Sequence, residues 1–118
     1  MSVVAGETKK SIFLVQEDRR ITAVNSATGQ FFDLRISAQE KIEKQVVDKS
    51  VAIVVTNQRF AGIGGLPGGW SSKRRQAGES LVRIEAEDSS AVVVTTDRVL
   101  VFNGTAGAWA EKRRAIEQ

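Results

Sequence analysis

The stretch AVVVTTDRVLVFNGTAGAWAEKRR (residues 91–114) organises the whole sequence, because the chain contains it three times. Residues 12–36 and 51–75 are the other two copies, aligned without a gap at a constant spacing of 39 residues. The matched positions are two arginines, a turn glycine and an aromatic residue: Arg20, Arg59 and Arg98; Arg35, Arg74 and Arg113; Gly29, Gly68 and Gly107; Phe31, Trp70 and Trp109. Internal repetition of this length predicts one structural unit per copy.

Each copy opens with a run of consecutive apolar, largely β-branched residues, such as residues 51–56. A continuous run predicts a strand that is covered on both faces. A polar corner and a second apolar run follow, which together predict a hairpin. Turn-forming clusters at 25–29, 64–69 and 103–107 end the second strand, and the third strand then becomes basic, as in WSSKRR and WAEKRR.

The fourth segment of each copy covers residues 40–47 and 79–87. Residues 41–47 alone also fit a short helix, but the aligned segment SLVRIEAE alternates as a strand does, and we favour a strand for both. The first ten residues align in the same register, so residues 2–7 are predicted to supply the fourth strand that the last copy lacks. We therefore expect a single all-β domain of twelve strands, divided into units 12–50, 51–89 and 90–118.

This unit of four strands in about 40 residues, with a Gly-x-aromatic step into the third strand, resembles a β-propeller blade. It lacks the WD dipeptide, the double glycine of kelch repeats and the tryptophan docking motif of quinoprotein blades, so no particular propeller family is indicated. Three blades are too few to close a ring. The resemblance therefore implies half of a six-bladed propeller completed by a homodimer, in which residues 2–7 of one chain pair with residues 109–116 of the other.

Two monomeric folds with three-fold repeats, the β-trefoil and the β-prism, are the alternatives. The prism family carries a repeated QxDxNxVxY site, and Gln16 and Asp18 begin it in the first copy. Arg20 then stands where the asparagine belongs, and the later copies have valine at the glutamine position. The motif does not support the prism.

Composition limits the chemistry. The 118 residues include no cysteine, histidine or tyrosine, which removes the thiolate nucleophile, the commonest metal ligand and the usual general base. The aspartates are scattered without a consistent pair, so we expect no catalytic site, metal or cofactor. The net charge of +3 does not indicate nucleic acid, and the sequence has neither a signal peptide nor a run of 18 apolar residues. We expect a cytoplasmic protein without a membrane partner.

Three repeated sets are candidate binding residues. The corner arginines Arg20, Arg59 and Arg98 would form a circle of six guanidiniums in a two-chain ring, suited to a phosphate or carboxylate, or would bond to the protein itself. The aromatic set Phe31, Trp70 and Trp109 suits either a sugar ring or packing between units. The basic set Arg35, Arg74 and Arg113 suits phosphates or a solvated edge. The sequence thus predicts a non-enzymatic module for an anionic or carbohydrate ligand, or an interaction scaffold without one; a sugar-binding trefoil is the other alternative.

Overall fold

The computed structural model describes residues 11–65 and 69–114. All regular structure in these ranges is β-strand, so the chain is all-β, as predicted. The eleven strands are β1 (Ile12–Glu17), β2 (Arg20–Asn25), β3 (Gln30–Arg35), β4 (Ile42–Asp48), β5 (Val51–Thr56), β6 (Arg59–Ile63), β7 (Ser71–Arg74), β8 (Leu81–Glu87), β9 (Ser90–Thr95), β10 (Arg98–Asn103) and β11 (Ala108–Arg113). The twelfth strand, predicted at residues 2–7, and the end of its predicted partner at 115–116 lie outside the described residues.

The strands form three antiparallel sheets that follow one another along the chain. The first sheet has the order β1-β2-β3, the middle sheet β4-β5-β6-β7 and the third sheet β8-β9-β10-β11. The ambiguous segment is the strand β4, as the repeat predicts. In the turn clusters, Gly29 and Gly107 have φ of 76° and 68°, a left-handed conformation that glycine adopts without strain.

The sheets group the segments differently from the sequence copies. The fourth segment was expected to complete the sheet of its own copy, but β4 pairs with β5 and β8 pairs with β9. Connectivity explains this correction: β4 ends at Asp48 and β5 begins at Val51, so a tight turn makes them a hairpin, whereas residues 36–41 separate β3 from β4. The third sheet therefore contains four strands among the described residues, with β8 as the fourth.

The middle sheet lies between the other two. On one face Val54 belongs to a buried cluster with Ile21 of the first sheet. On the opposite face Phe60 belongs to a buried cluster with Val93 of the third sheet. All six residues of β5 are buried, which confirms for this strand the prediction that the apolar run is covered on both faces.

The equivalent strands of the outer sheets are only half covered. Phe13 and Val15 in β1 are 48% and 49% exposed, and Val92 in β9 is 37% exposed. The prediction of double burial is wrong for these two strands, because among the described residues each outer sheet packs against a neighbour on one face only.

The three sheets pack in chain order, each against the next. No buried cluster within residues 11–65 and 69–114 combines side chains of the first and third sheets. A trefoil or prism monomer would bring all three units around one axis, so this arrangement does not support either alternative. In the described part of the chain no helix is long and apolar enough to cross a membrane.

Candidate functional site

Arg98 forms a buried ion pair with Glu79. The guanidinium Nε lies 2.8 Å from one carboxylate oxygen and an amino nitrogen lies 3.0 Å from the other. Thr95 Oγ1 donates to the same carboxylate at 2.6 Å, and the main-chain N–H of Gln76 donates to it at 2.9 Å. The arginine and glutamate side chains are only 4% and 0% exposed, so the pair is largely shielded from solvent.

The same guanidinium joins two sheets. It donates to the main-chain carbonyl of Arg74, at the end of β7 in the middle sheet, at 2.6 Å. Arg59 repeats the arrangement, because it pairs with Glu40 at 2.8 Å and donates to the carbonyl of Arg35 in the first sheet. We call each set of arginine, glutamate and preceding-sheet carbonyl an arginine clamp.

The clamps hold their carboxylates in the charged form. Burial raises the pKa of the Glu79 carboxyl, but the hydrogen bonds from Arg98, Gln76 and Thr95 outweigh it and lower the pKa to about 2. The same balance of burial against hydrogen bonds lowers the pKa of Glu40. Both guanidiniums are thus committed to internal partners, which favours the structural interpretation of Arg59 and Arg98.

Arg20 differs from its two repeat equivalents. It is exposed, and among the described residues its side chain hydrogen-bonds only to Glu17, three residues earlier in the chain. The expectation that the three corner arginines share one environment is therefore wrong for Arg20. The reason is that no sheet precedes the first sheet in the part of the chain that the structure describes.

The two tryptophans pack between sheets. Trp70 Nε1 donates to the carbonyl of Phe32 at 3.0 Å and Trp109 Nε1 to that of Ser71 at 2.9 Å, in each case reaching the preceding sheet. Both rings are half-buried, so they offer no open platform for a sugar. Phe31, their equivalent in the first sheet, is 68% exposed.

The basic set is partly brought together. Arg35, Arg74 and Arg113 are exposed, and none of them has an ion-pair partner within the described ranges. Arg35 and Arg74 line one groove of about 800 Å³, together with Asn57 and Gln58. Arg113 lies outside this groove.

The sequence interpretation missed the clamp glutamates. Glu40 and Glu79 stand 39 residues apart, and each precedes its arginine by 19 residues. This constant separation was the available signal, since a carboxylate kept in register with an arginine is a candidate partner. In the first copy the same register falls on Met1, so Arg20 has no carboxylate at that position.

Two open sheet faces carry the exposed apolar residues. The outward side of the first sheet, which we call the head face, bears a cross-strand row of Phe13, Val24 and Phe31, with Val15 beside it. The outward side of the third sheet, the tail face, bears two valine pairs. These pairs are Val92 with Val101 and Val94 with Val99.

The middle sheet has no large hydrophobic residue that is exposed among those described. All six in the described chain belong to the outer sheets: Phe13, Val15, Phe31, Val82, Val92 and Val101. Five of them lie on the head or tail face, and Val82 stands at a bulge of β8 in the third sheet. Apolar surface collected on two opposite ends is typical of interaction surfaces.

Comparison with known proteins assigns no family. A scan against family models and a search of curated proteins found no match to this chain. The candidate sites are therefore the clamps, the groove and the two open faces, judged on their geometry.

Proposed function

We propose that the protein is a non-enzymatic interaction module that works as a homo-oligomer assembled through its head and tail faces. The observation that carries this proposal is the confinement of the exposed large hydrophobic residues to the two outer sheets. A stack of repeats buries its apolar faces only against neighbours, so open end faces favour association.

Six sheets from two copies are the assembly that we favour. The blade-like repeat supports a closed ring of the propeller kind, because two chains supply six sheets and leave neither face open. The third sheet has four strands among the described residues, so we expect the ring to close by stacking of faces.

The mass in solution tests the proposal. We expect light scattering coupled to size exclusion to give twice the chain mass of 12.8 kDa at micromolar concentration. A monomer across the micromolar range would contradict the proposal. Val15→Glu is expected to lower the mass, whereas Lys49→Glu, at an exposed turn between β4 and β5, provides a control away from both faces.

An anion-binding role is the second candidate, supported by the groove of Arg35 and Arg74. Both arginines line this groove, and neither has an ion-pair partner in the described chain, whereas Glu40 and Glu79, which also line it, are paired with Arg59 and Arg98. Arginines without a carboxylate partner suit a phosphate or carboxylate group. The half-buried tryptophans give no comparable support to a carbohydrate ligand.

Thermal shift with inorganic phosphate and pyrophosphate tests the groove, because a ligand that binds only the folded state raises its stability. We expect the shift to vanish in Arg35→Ala/Arg74→Ala and to persist in Lys41→Ala/Lys49→Ala. Equal shifts in both variants would assign the effect to general screening of the net positive charge.

A further inference from the structure

Resting on the homo-oligomer proposed above, we infer the direction and contacts of the joint. The head face of one copy docks on the tail face of another, and Arg20 of the first donates to the main-chain carbonyl of Arg113 of the second. In this contact each residue takes the place of its equivalent, 39 positions away in the repeat, at the two sheet interfaces inside the chain.

The arginine contact follows from the clamps. Arg59 donates to the carbonyl of Arg35 and Arg98 donates to that of Arg74. One repeat further, the acceptor is the carbonyl of Arg113, on the edge strand β11, and the donor is Arg20 of the next copy. Arg20 is exposed, and within residues 11–65 and 69–114 its side chain has no acceptor on another sheet, so it is available for this contact.

The packing volumes also match across the joint. At the interface of middle and third sheets, a Cβ placed on Gly62 would lie 2.8 Å from the Phe102 ring, so the smallest residue faces a large one. At the interface of first and middle sheets the same register holds Ala23 and Ile63 in one buried cluster.

At the joint the corresponding residues are Val101 on the tail face and Val24 on the head face. Two medium side chains replace the pair of small and large ones. The combined volume is thus similar at all three interfaces, which the close packing of protein interiors requires.

Charge is complementary at the same joint. Lys73 of the middle sheet pairs with Glu111 of the third sheet at 2.7 Å. On the tail face, Lys112 is the repeat equivalent of Lys73. On the head face, Asp33 is the repeat equivalent of Glu111. Head-to-tail docking in this register brings these two opposite charges together.

The aromatic position sets this joint apart from the internal interfaces. Phe31 occupies the place of Trp70 and Trp109 but has no N–H to donate. The joint therefore keeps the apolar contact and lacks one hydrogen bond, which makes it weaker than the internal interfaces and suits reversible association.

Charge reversal tests the direction. Sedimentation velocity over a dilution series would compare the wild type, Asp33→Lys, Lys112→Glu, the double variant and the Lys49→Glu control. Each single reversal is expected to weaken the dimer about tenfold or more, because a two-copy ring repeats the like-charge contact at both joints. The double variant restores opposite charges and is expected to recover most of the affinity, while the control leaves it unchanged.

The outcomes separate the joint from the proposed function. A dimeric wild type whose single variants stay fully dimeric, or whose double variant shows no recovery, overturns the head-to-tail joint and leaves the homo-oligomer standing. A monomeric wild type overturns both. Arg20→Ala provides an independent arm: dimerisation that survives it at full strength would contradict the carbonyl contact. Circular dichroism of each variant establishes that the change acts on assembly and not on folding.

Discussion

The middle and first sheets have aligned sequences and unlike surroundings. β5 is buried at all six positions, whereas in β1 only Ile12 is buried. Arg59 holds a buried glutamate and reaches the preceding sheet, while Arg20 pairs at the surface with Glu17. The difference teaches that a residue's position in the 39-residue repeat determines its backbone conformation. The presence of a neighbouring sheet determines the burial and the hydrogen-bond partners of its side chain.

Removing a clamp arginine should give the largest difference in stability between a buried and an exposed copy of the repeat. Arg98→Ala leaves the Glu79 carboxylate buried without its partner, and we expect it to lower the free energy of unfolding by about 3–5 kcal/mol. Arg20→Ala, in the same register, should leave the unfolding of the dissociated chain unchanged. Urea denaturation followed by tryptophan fluorescence at high dilution measures both, and equal losses would contradict the contrast.

Acid should weaken the buried clamp next. The folded pKa of Glu79 is lowered from 4.5 to about 2, so its contribution is fully present above pH 4.5 and is lost as the pH falls towards 2. A shift of this size corresponds to about 3 kcal/mol. Thermal melts from pH 6 to pH 2 should show a smaller acid-dependent loss in Glu79→Gln. An identical pH profile in that variant would show that other carboxylates govern acid unfolding.

Filling the close contact between sheets should have an intermediate effect. Gly62→Ala places a methyl group against the Phe102 ring, and such overpacking costs about 1–3 kcal/mol. Val101→Ala, at the equivalent position of the tail face, should have a smaller effect on the dissociated chain because this residue is 38% exposed. Chemical denaturation of the two variants measures their free energies of unfolding. A larger loss of stability in Val101→Ala than in Gly62→Ala would contradict this prediction.

The aromatic position should give the smallest effect and sharpen the comparison. Trp109→Phe removes the bond to the Ser71 carbonyl and should cost about 1 kcal/mol in unfolding. Phe31→Trp adds the missing donor to the head face, and we expect a tighter dimer in a dilution series. Weaker association of this variant would indicate that the head face does not dock as the internal interfaces do.

The sequence allowed most of the backbone to be predicted. Strand positions, turn glycines and the strand at Ile42–Asp48 follow from a repeat in which three aligned copies support each assignment. The grouping of strands into sheets did not follow, because a gapless alignment shows equivalent positions and gives no pairing. The short turn between Asp48 and Val51 carried that information.

The candidate site was harder to predict than the fold. Arg59 and Arg98 stood out as repeated residues, but their role depends on Glu40 and Glu79, whose side chains meet them only after folding. Sequence equivalence also hid the difference of Arg20, since an alignment does not record that one face of the first sheet lacks a neighbouring sheet among the described residues.

The short reach of the arginine clamp governs how the copy number of this chain can change. Each clamp joins residues that are at most 24 positions apart, as between Arg98 and Arg74, and so it connects one unit only to the unit before it. Removing one whole 39-residue period would leave a chain of two sheets with one clamp and the same two end faces. In the proposed six-sheet ring, three such chains would replace two, so loss of one period within a gene would change the number of subunits and keep the proposed joint.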